Sequence, residues 1–209
     1  MTESHASVRM AVAWLLWYPD HELAERLPEI REAMRVDSSP AAAHVRSFLD
    51  AFDAMTWEQA QQHYVDTFDM RRKTAPYLSF WTDGDTRNRG FALLRFKQAY
   101  LASGYELGDN ELPDHLSVVL EFAAIGNQLT GDALLVENRV GIGLLAEGLR
   151  GAGSPYSLLV DAVLTTMPAL TPEIRERMED LARSGPPTEM VGLDPFPSHP
   201  SLAAQGGRR

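Results

Sequence analysis

Apolar residues recur along this chain at intervals of three and four, and no segment sustains the two-residue alternation of a half-buried strand. That pattern confines the fold to packed helices. Val8, Ala11, Val12 and Leu15 form the first stripe. Trp14, Trp17 and Tyr18 widen it, so this helix is expected to be buried over much of its circumference and to stop before Pro19. Asp20 can cap a second helix carrying Leu23, Leu27, Ile30 and Met34, with Pro28 predicting a kink or division inside it. Pro40 suits a first helical position, ahead of Val45, Phe48, Leu49 and Phe52. Thr56 with Gln59 has the spacing of a capping box, and Trp57, Ala60, Tyr64 and Phe68 mark the face behind it.

Further stripes follow. Ala92, Leu93, Phe96 and Tyr100 line up in a helix closed by Gly104. Pro113 opens one with Leu116, Val119, Leu120, Ala123 and Ala124. Leu135, Ile142, Leu145 and Leu149 carry the next, where Asn138 calls for an internal hydrogen bond and Gly141-Ile142-Gly143 for close helix packing. Ser154-Pro155 precedes Leu158, Leu159, Ala162 and Val163, and Thr171-Pro172-Glu173 precedes Ile174, Met178 and Leu181. The expectation is an all-α protein, a single bundle of about nine helices over residues 1–185. Residues 186–209, rich in Pro, Gly and Ser, are expected to form a loosely held or disordered tail.

One stretch resists this scheme. Residues 64–90 place Met70-Arg71-Arg72-Lys73 in a chain of net charge -10, then set Tyr77, Phe80 and Trp81 in a loop before the Asp83-Gly84 turn. Such aromatic residues either plug the core beneath the loop or form part of a binding surface. Residues 112–122 look like its partner. There Asp114, Ser117 and Glu121 fall on one helix face if the helix starts at Pro113. Asp114 suits a helix N-terminus, and His115 could be a satisfied polar residue at its mouth. Glu121, between Leu120 and Phe122, needs a partner or a groove to line. Arg71, Arg72, Arg87 and Arg89 are candidate internal partners, so a structural ion pair and direct ligand contact both stand open.

The excess of acid argues against nucleic-acid binding and favours a basic partner. There is no cysteine, which excludes disulfides and thiolate metal sites and suits a reducing cytoplasm. The six histidines show no paired ligand spacing, and His44 and His63 are expected on solvated helix faces. Asp83-Gly84-Asp85 lacks the rest of a calcium loop. No phosphate loop or nucleophile elbow occurs. The longest apolar run, residues 10–18, is about half of the ~20 residues that span a bilayer, and no secretory signal is visible at the start. The residues themselves lead to a soluble, acidic helical protein with no specific catalytic motif and a charged aromatic groove, suited to an apolar or amphipathic peptide with basic residues.

The stretch TFDMRRKTAPYLSFWTDGDTRNRG and the Pro113-Asp114-His115-Leu116 core of the second segment resemble the NarJ family, the assembly chaperones of respiratory nitrate reductase. Ser154-Pro155-Tyr156 and Met167-Pro168 match a weaker third block, while Asn138-Arg139 stands where that family often has His-Arg. The resemblance implies a non-catalytic chaperone that binds the N-terminal segment of the nitrate reductase catalytic (alpha) subunit, with its beta partner, in the cytoplasm. It would permit insertion of the molybdenum bis-guanine-dinucleotide cofactor without holding it stably, and delay membrane docking. By motif match, peptide recognition would fall on Asp114 and His115. Glu121 would add charge; Tyr77, Phe80, Trp81 and Phe122 would supply apolar walls; and Arg71, Arg72, Arg87 and Arg89 would orient the carboxylates or contact the client. A permanent scaffold subunit of a membrane oxidoreductase is the competing reading, and would co-purify with the mature enzyme. An enzyme or cofactor carrier would hold stoichiometric metal or pterin.

Overall fold

A computed structural model describes residues 3–108, 111–167 and 172 of the chain. Among them the chain forms ten α-helices, one π turn, one 3-10 turn and no strand. Helix α1 (Glu3–Leu15) is the axis of the molecule. It packs on α2 (His21–Val36), α3 (Pro40–Asp53), α7 (Leu116–Ile125) and α10 (Tyr156–Thr165). Its Val8, Ala11, Val12, Ala13 and Leu15 are all buried, as a helix apolar round most of its circumference should be. Arg9 is buried with them, donating to Asp132 at 2.6 Å and to the Thr166 hydroxyl at 3.4 Å. This charge, unforeseen among the apolar positions, ties α1 to α8 (Gln128–Glu137) and to the end of α10.

The local signals act as expected at several ends. Asp20 accepts from Leu23 N–H, Pro40 opens α3, where Ser39 adds a cap by accepting from Ala42 N–H, and Thr56 and Gln59 close a reciprocal capping box at the start of α4 (Trp57–Tyr64). Gly104, at φ 80, terminates α6 (Asn88–Ala102). Four expectations need correction. Helix α2 runs through Pro28 undivided, because Pro28 lies on the exposed side and the carbonyl it frees on Ala24 can turn to water. The stripe from Leu135 to Leu149 is buried as expected but belongs to two helices. Asn138 donates to Leu134 O at 2.8 Å and separates α8 from α9 (Arg139–Gly151). The loop of residues 69–85 contains a 3-10 turn (Arg72–Thr74) and a short helix, α5 (Leu78–Asp83). Helix α7 starts at Leu116 rather than at Pro113. The final helix expected from residue 171 and the tail from residue 186 lie outside the described residues, Pro172 apart.

Two glycines set close helix contacts, the one at Gly148 too close for any side chain. A Cβ at Gly148 of α9 would sit 1.9 Å from the carbonyl oxygen of Lys73, so the 3-10 turn rests directly on that helix. A Cβ at Gly141 would approach the Trp81 ring and Cβ to 3.0–3.2 Å, so the Gly141-Ile142-Gly143 run does serve close packing, against α5.

Candidate functional site

The two unusual segments of the sequence meet. Residues 76–78 and 114–116 form an isolated antiparallel bridge, Leu78 N–H donating to Asp114 O and Leu116 N–H to Pro76 O, both at 2.9 Å. The bridge holds His115 extended (φ -64, ψ 132) and therefore delays the start of α7. It also brings Asp114 to the head of α5. Ser79 donates its backbone N–H at 3.2 Å and its hydroxyl at 2.5 Å to Asp114 Oδ2. The Arg89 guanidinium stands 3.8 Å from the same oxygen. A carboxylate from far along the chain thus caps α5, which is why the sequence around residue 78 gave no cap signal of its own.

Asp114 is fully buried, and its Oδ1 has no hydrogen-bond partner. His115 is 5% exposed. Ser117 donates its backbone N–H to His115 Nδ1 at 3.3 Å, and its hydroxyl lies 2.5 Å from the same atom. Nδ1 accepts, so the neutral ring carries its proton on Nε2. Burial pushes the His115 pKa down to about 4. The ring is stacked on Trp17 at 4.9 Å and meets the edge of Tyr77 at 5.3 Å.

The loop's aromatic residues resolve toward the core. Phe80 and Trp81 are buried; Trp81 donates its indole N–H to Ala75 O at 3.2 Å, and the Arg72 guanidinium lies over Phe80 at 5.6 Å. Arg72 pairs with Asp85 at 2.6 Å, and Arg89 with Asp85 at 3.6 Å. Arg71 and Arg87 are exposed. Of the two readings left open for Glu121, the ion pair with Arg71, Arg72 or Arg89 is not seen among the described residues. His63 departs from expectation: its Nε2 lies 2.9 Å from the Ser154 hydroxyl, and its ring is stacked on Tyr156.

Glu121 instead stands where three depressions converge. One, of about 540 Å³, runs between α1, α2 and α7 and is lined by Met10, Trp14, Ile30 and Ile125. A second, of about 450 Å³, lies past Trp14, Trp17 and Tyr18. A third, of about 120 Å³, is walled by Tyr100, Tyr105 and Phe122. Around this apolar floor stand the carboxylates of Asp20, Glu22, Glu29, Glu106, Glu111 and Glu121. Arg26 is the cation of the lining; it lies over the Trp14 ring at 5.1 Å and pairs with Glu29 at 3.5 Å. Partial desolvation, and then the neighbouring Glu111, raise the Glu121 pKa. Among the described residues no ion pair with an arginine is seen for this carboxylate, which stands beside exposed Ile125. An apolar trough rimmed by acid suits an amphipathic segment bearing Lys or Arg.

The structure therefore brings together Glu121 and Phe122 at the groove, with Asp114, His115 and Tyr77 packed below. It sets Phe80 and Trp81 in the core and Arg71, Arg72, Arg87 and Arg89 around the neighbouring loop. Sequence reasoning missed Met10, Trp14, Trp17 and the carboxylates of Glu22, Glu29 and Glu111. The signal lay at the end of the first helix and in the turn after it, where Trp14, Trp17 and Tyr18 widen the apolar face. Among the described residues no group of three His, Asp or Glu could hold a metal ion, and no helix is long and apolar enough to cross a membrane.

Comparison with known proteins bears on the family of the chain. The family described as nitrate reductase delta subunit matches residues 21–157. The "nitrate reductase-like protein NarX" of Mycobacterium tuberculosis (strain ATCC 25618 / H37Rv) is 40% identical over 155 residues; the match takes in 73% of this chain but only 23% of NarX. The "nitrate reductase molybdenum cofactor assembly chaperone NarJ" of Escherichia coli K12 is 30% identical over 84% of this chain and 77% of its own length. The protein of Bacillus subtilis strain 168 described as a "probable" chaperone of the same name is 29% identical, over 81% and 91%.

Proposed function

The chain belongs to the nitrate reductase delta subunit family, that of the NarJ molybdenum cofactor assembly chaperones, and from this premise we propose that it is itself such a chaperone, with the groove at Glu121 as its client site. Its ligand is the N-terminal segment of the nitrate reductase catalytic subunit, presented by the apoenzyme in complex with its beta subunit. The apolar face of that segment lies on Met10, Trp14, Trp17 and Ile125, and its basic residues meet Glu121, Glu111 and Glu29. Held there in the cytoplasm, the apoenzyme stays open to insertion of the molybdenum bis-guanine-dinucleotide cofactor and is kept from docking at the membrane until it is loaded. The chaperone performs no chemistry on the client and keeps none of its cofactor.

The observation that carries this reading is the convergence of three largely apolar depressions on one carboxylate, Glu121. A charge of -10 adds long-range attraction for a cationic leader. The test is calorimetric titration of the full chain with a synthetic peptide of that N-terminal segment, beside capture of the whole apo-subunit. Saturable binding of both, with the chaperone absent from mature enzyme, is the expected result. Stoichiometric co-purification with the mature membrane enzyme would instead identify a permanent subunit, and failure to bind either form of client would refute the function.

A further inference from the structure

We propose that Asp114 and His115 act on the bound segment at one remove, as positioning residues that set the Trp17 wall and the origin of α7 without touching the ligand. This rests on the groove reading, and it relocates the role that the resemblance implies for the pair. Both side chains are committed inward. Asp114 Oδ2 accepts from the Ser79 N–H and hydroxyl, and its backbone carbonyl accepts from Leu78 N–H, so it locks residues 113–116 onto the head of α5.

The His115 ring is occupied on several sides. Trp17 lies parallel to it, with 12° between the planes, Tyr77 meets it edge-on, and Nδ1 serves Ser117 at the first turn of α7. Trp17 is the member of this set that reaches the groove, lining the same depression as Asp20, Glu22, Glu111 and Glu121. Glu121 sits on the helix that His115 caps. A displaced His115 therefore moves a groove wall and turns the carrier of the groove's central charge. A ligand on the Trp17 side meets the indole before it meets the imidazole.

The test uses the full chain with 5-fluorotryptophan in its four tryptophan positions, the Trp17 fluorine resonance being assigned with W17F. Binding of the synthetic N-terminal peptide is titrated across a salt series. H115A is expected to shift the Trp17 resonance in the free protein and to weaken peptide binding about tenfold, the scale of one lost aromatic contact. H115F restores the stack and recovers most of the affinity. H115N keeps an acceptor for Ser117 N–H but no ring, and tracks H115A. D114N retains an oxygen for Ser79 and leaves the salt slope of binding at the wild-type value, whereas E121Q flattens it. A salt slope in D114N reduced as much as in E121Q would overturn the proposal, because it would put Asp114 in contact with a ligand cation. So would a Trp17 resonance unmoved in both H115A and H115N. If wild-type protein fails to bind the peptide, the groove reading falls, while the fluorine spectra of the free variants still decide whether the motif positions Trp17.

Discussion

Burial decides the charge of His115, and with it part of the pH dependence of stability. Its pKa stands at about 4 against an ordinary 6.5, because the charged ring would lose its water among Trp17, Tyr77 and the start of α7. Between those values the unfolded chain binds a proton that the folded chain refuses, so stability rises with pH across the window and is lost on acidification. His63, also lowered chiefly by burial, acts in the same direction. Wild-type protein should lose about 2 kcal/mol of unfolding free energy from this one ring between pH 7 and pH 5, and H115F should lose that much less. Urea denaturation of both at the two pH values reads the difference; parallel losses would mean that His115 is solvated. At this scale the sequence was legible only where partners are near in the chain. Asp20 and Thr56 cap helices three residues away, and their spacing announced it. Asp114 caps α5 across 35 residues, and no local pattern encodes that.

Among the elements, the periodic stripes were right about helix and largely right about which faces are buried, since burying a stripe needs no knowledge of its neighbour. Boundaries failed at two places, one set by a distant segment and one by a local side chain. The bridge to residues 76–78 holds back α7, and the Asn138 side chain divides α8 from α9. Gly148 shows how tight such contacts are. G148A must push the Lys73 backbone away from α9 and should cost about 1–3 kcal/mol, as overpacked sites do. G151A, on the same helix with nothing within 4 Å, should be neutral or stabilising by up to ~1 kcal/mol. Comparison of their urea midpoints checks this, and equal midpoints would show that the turn does not rest on the helix.

At the scale of the whole molecule, the sequence supplied the net charge and the unusual Glu121 but not the concavity that gives them meaning. Trp14 on α1, Trp17 in the turn that follows it, Glu22 and Glu29 in α2 and Glu121 on α7 become neighbours only through the way the helices pack. Each tryptophan alone reads as core. The aromatic loop that drew attention is chiefly interior, while the first helix, expected to be buried over much of its circumference, lends a face to the groove. The account turns on that groove and on Glu121 at its centre. Its most direct test is titration of wild type and E121Q with the N-terminal peptide of the nitrate reductase catalytic subunit at low and high salt. A half-exposed charge contact predicts that E121Q binds roughly threefold to fivefold more weakly at low salt and nearly as well as wild type at high salt. Equal affinity for both proteins at low salt would contradict the account and place the client elsewhere on the molecule.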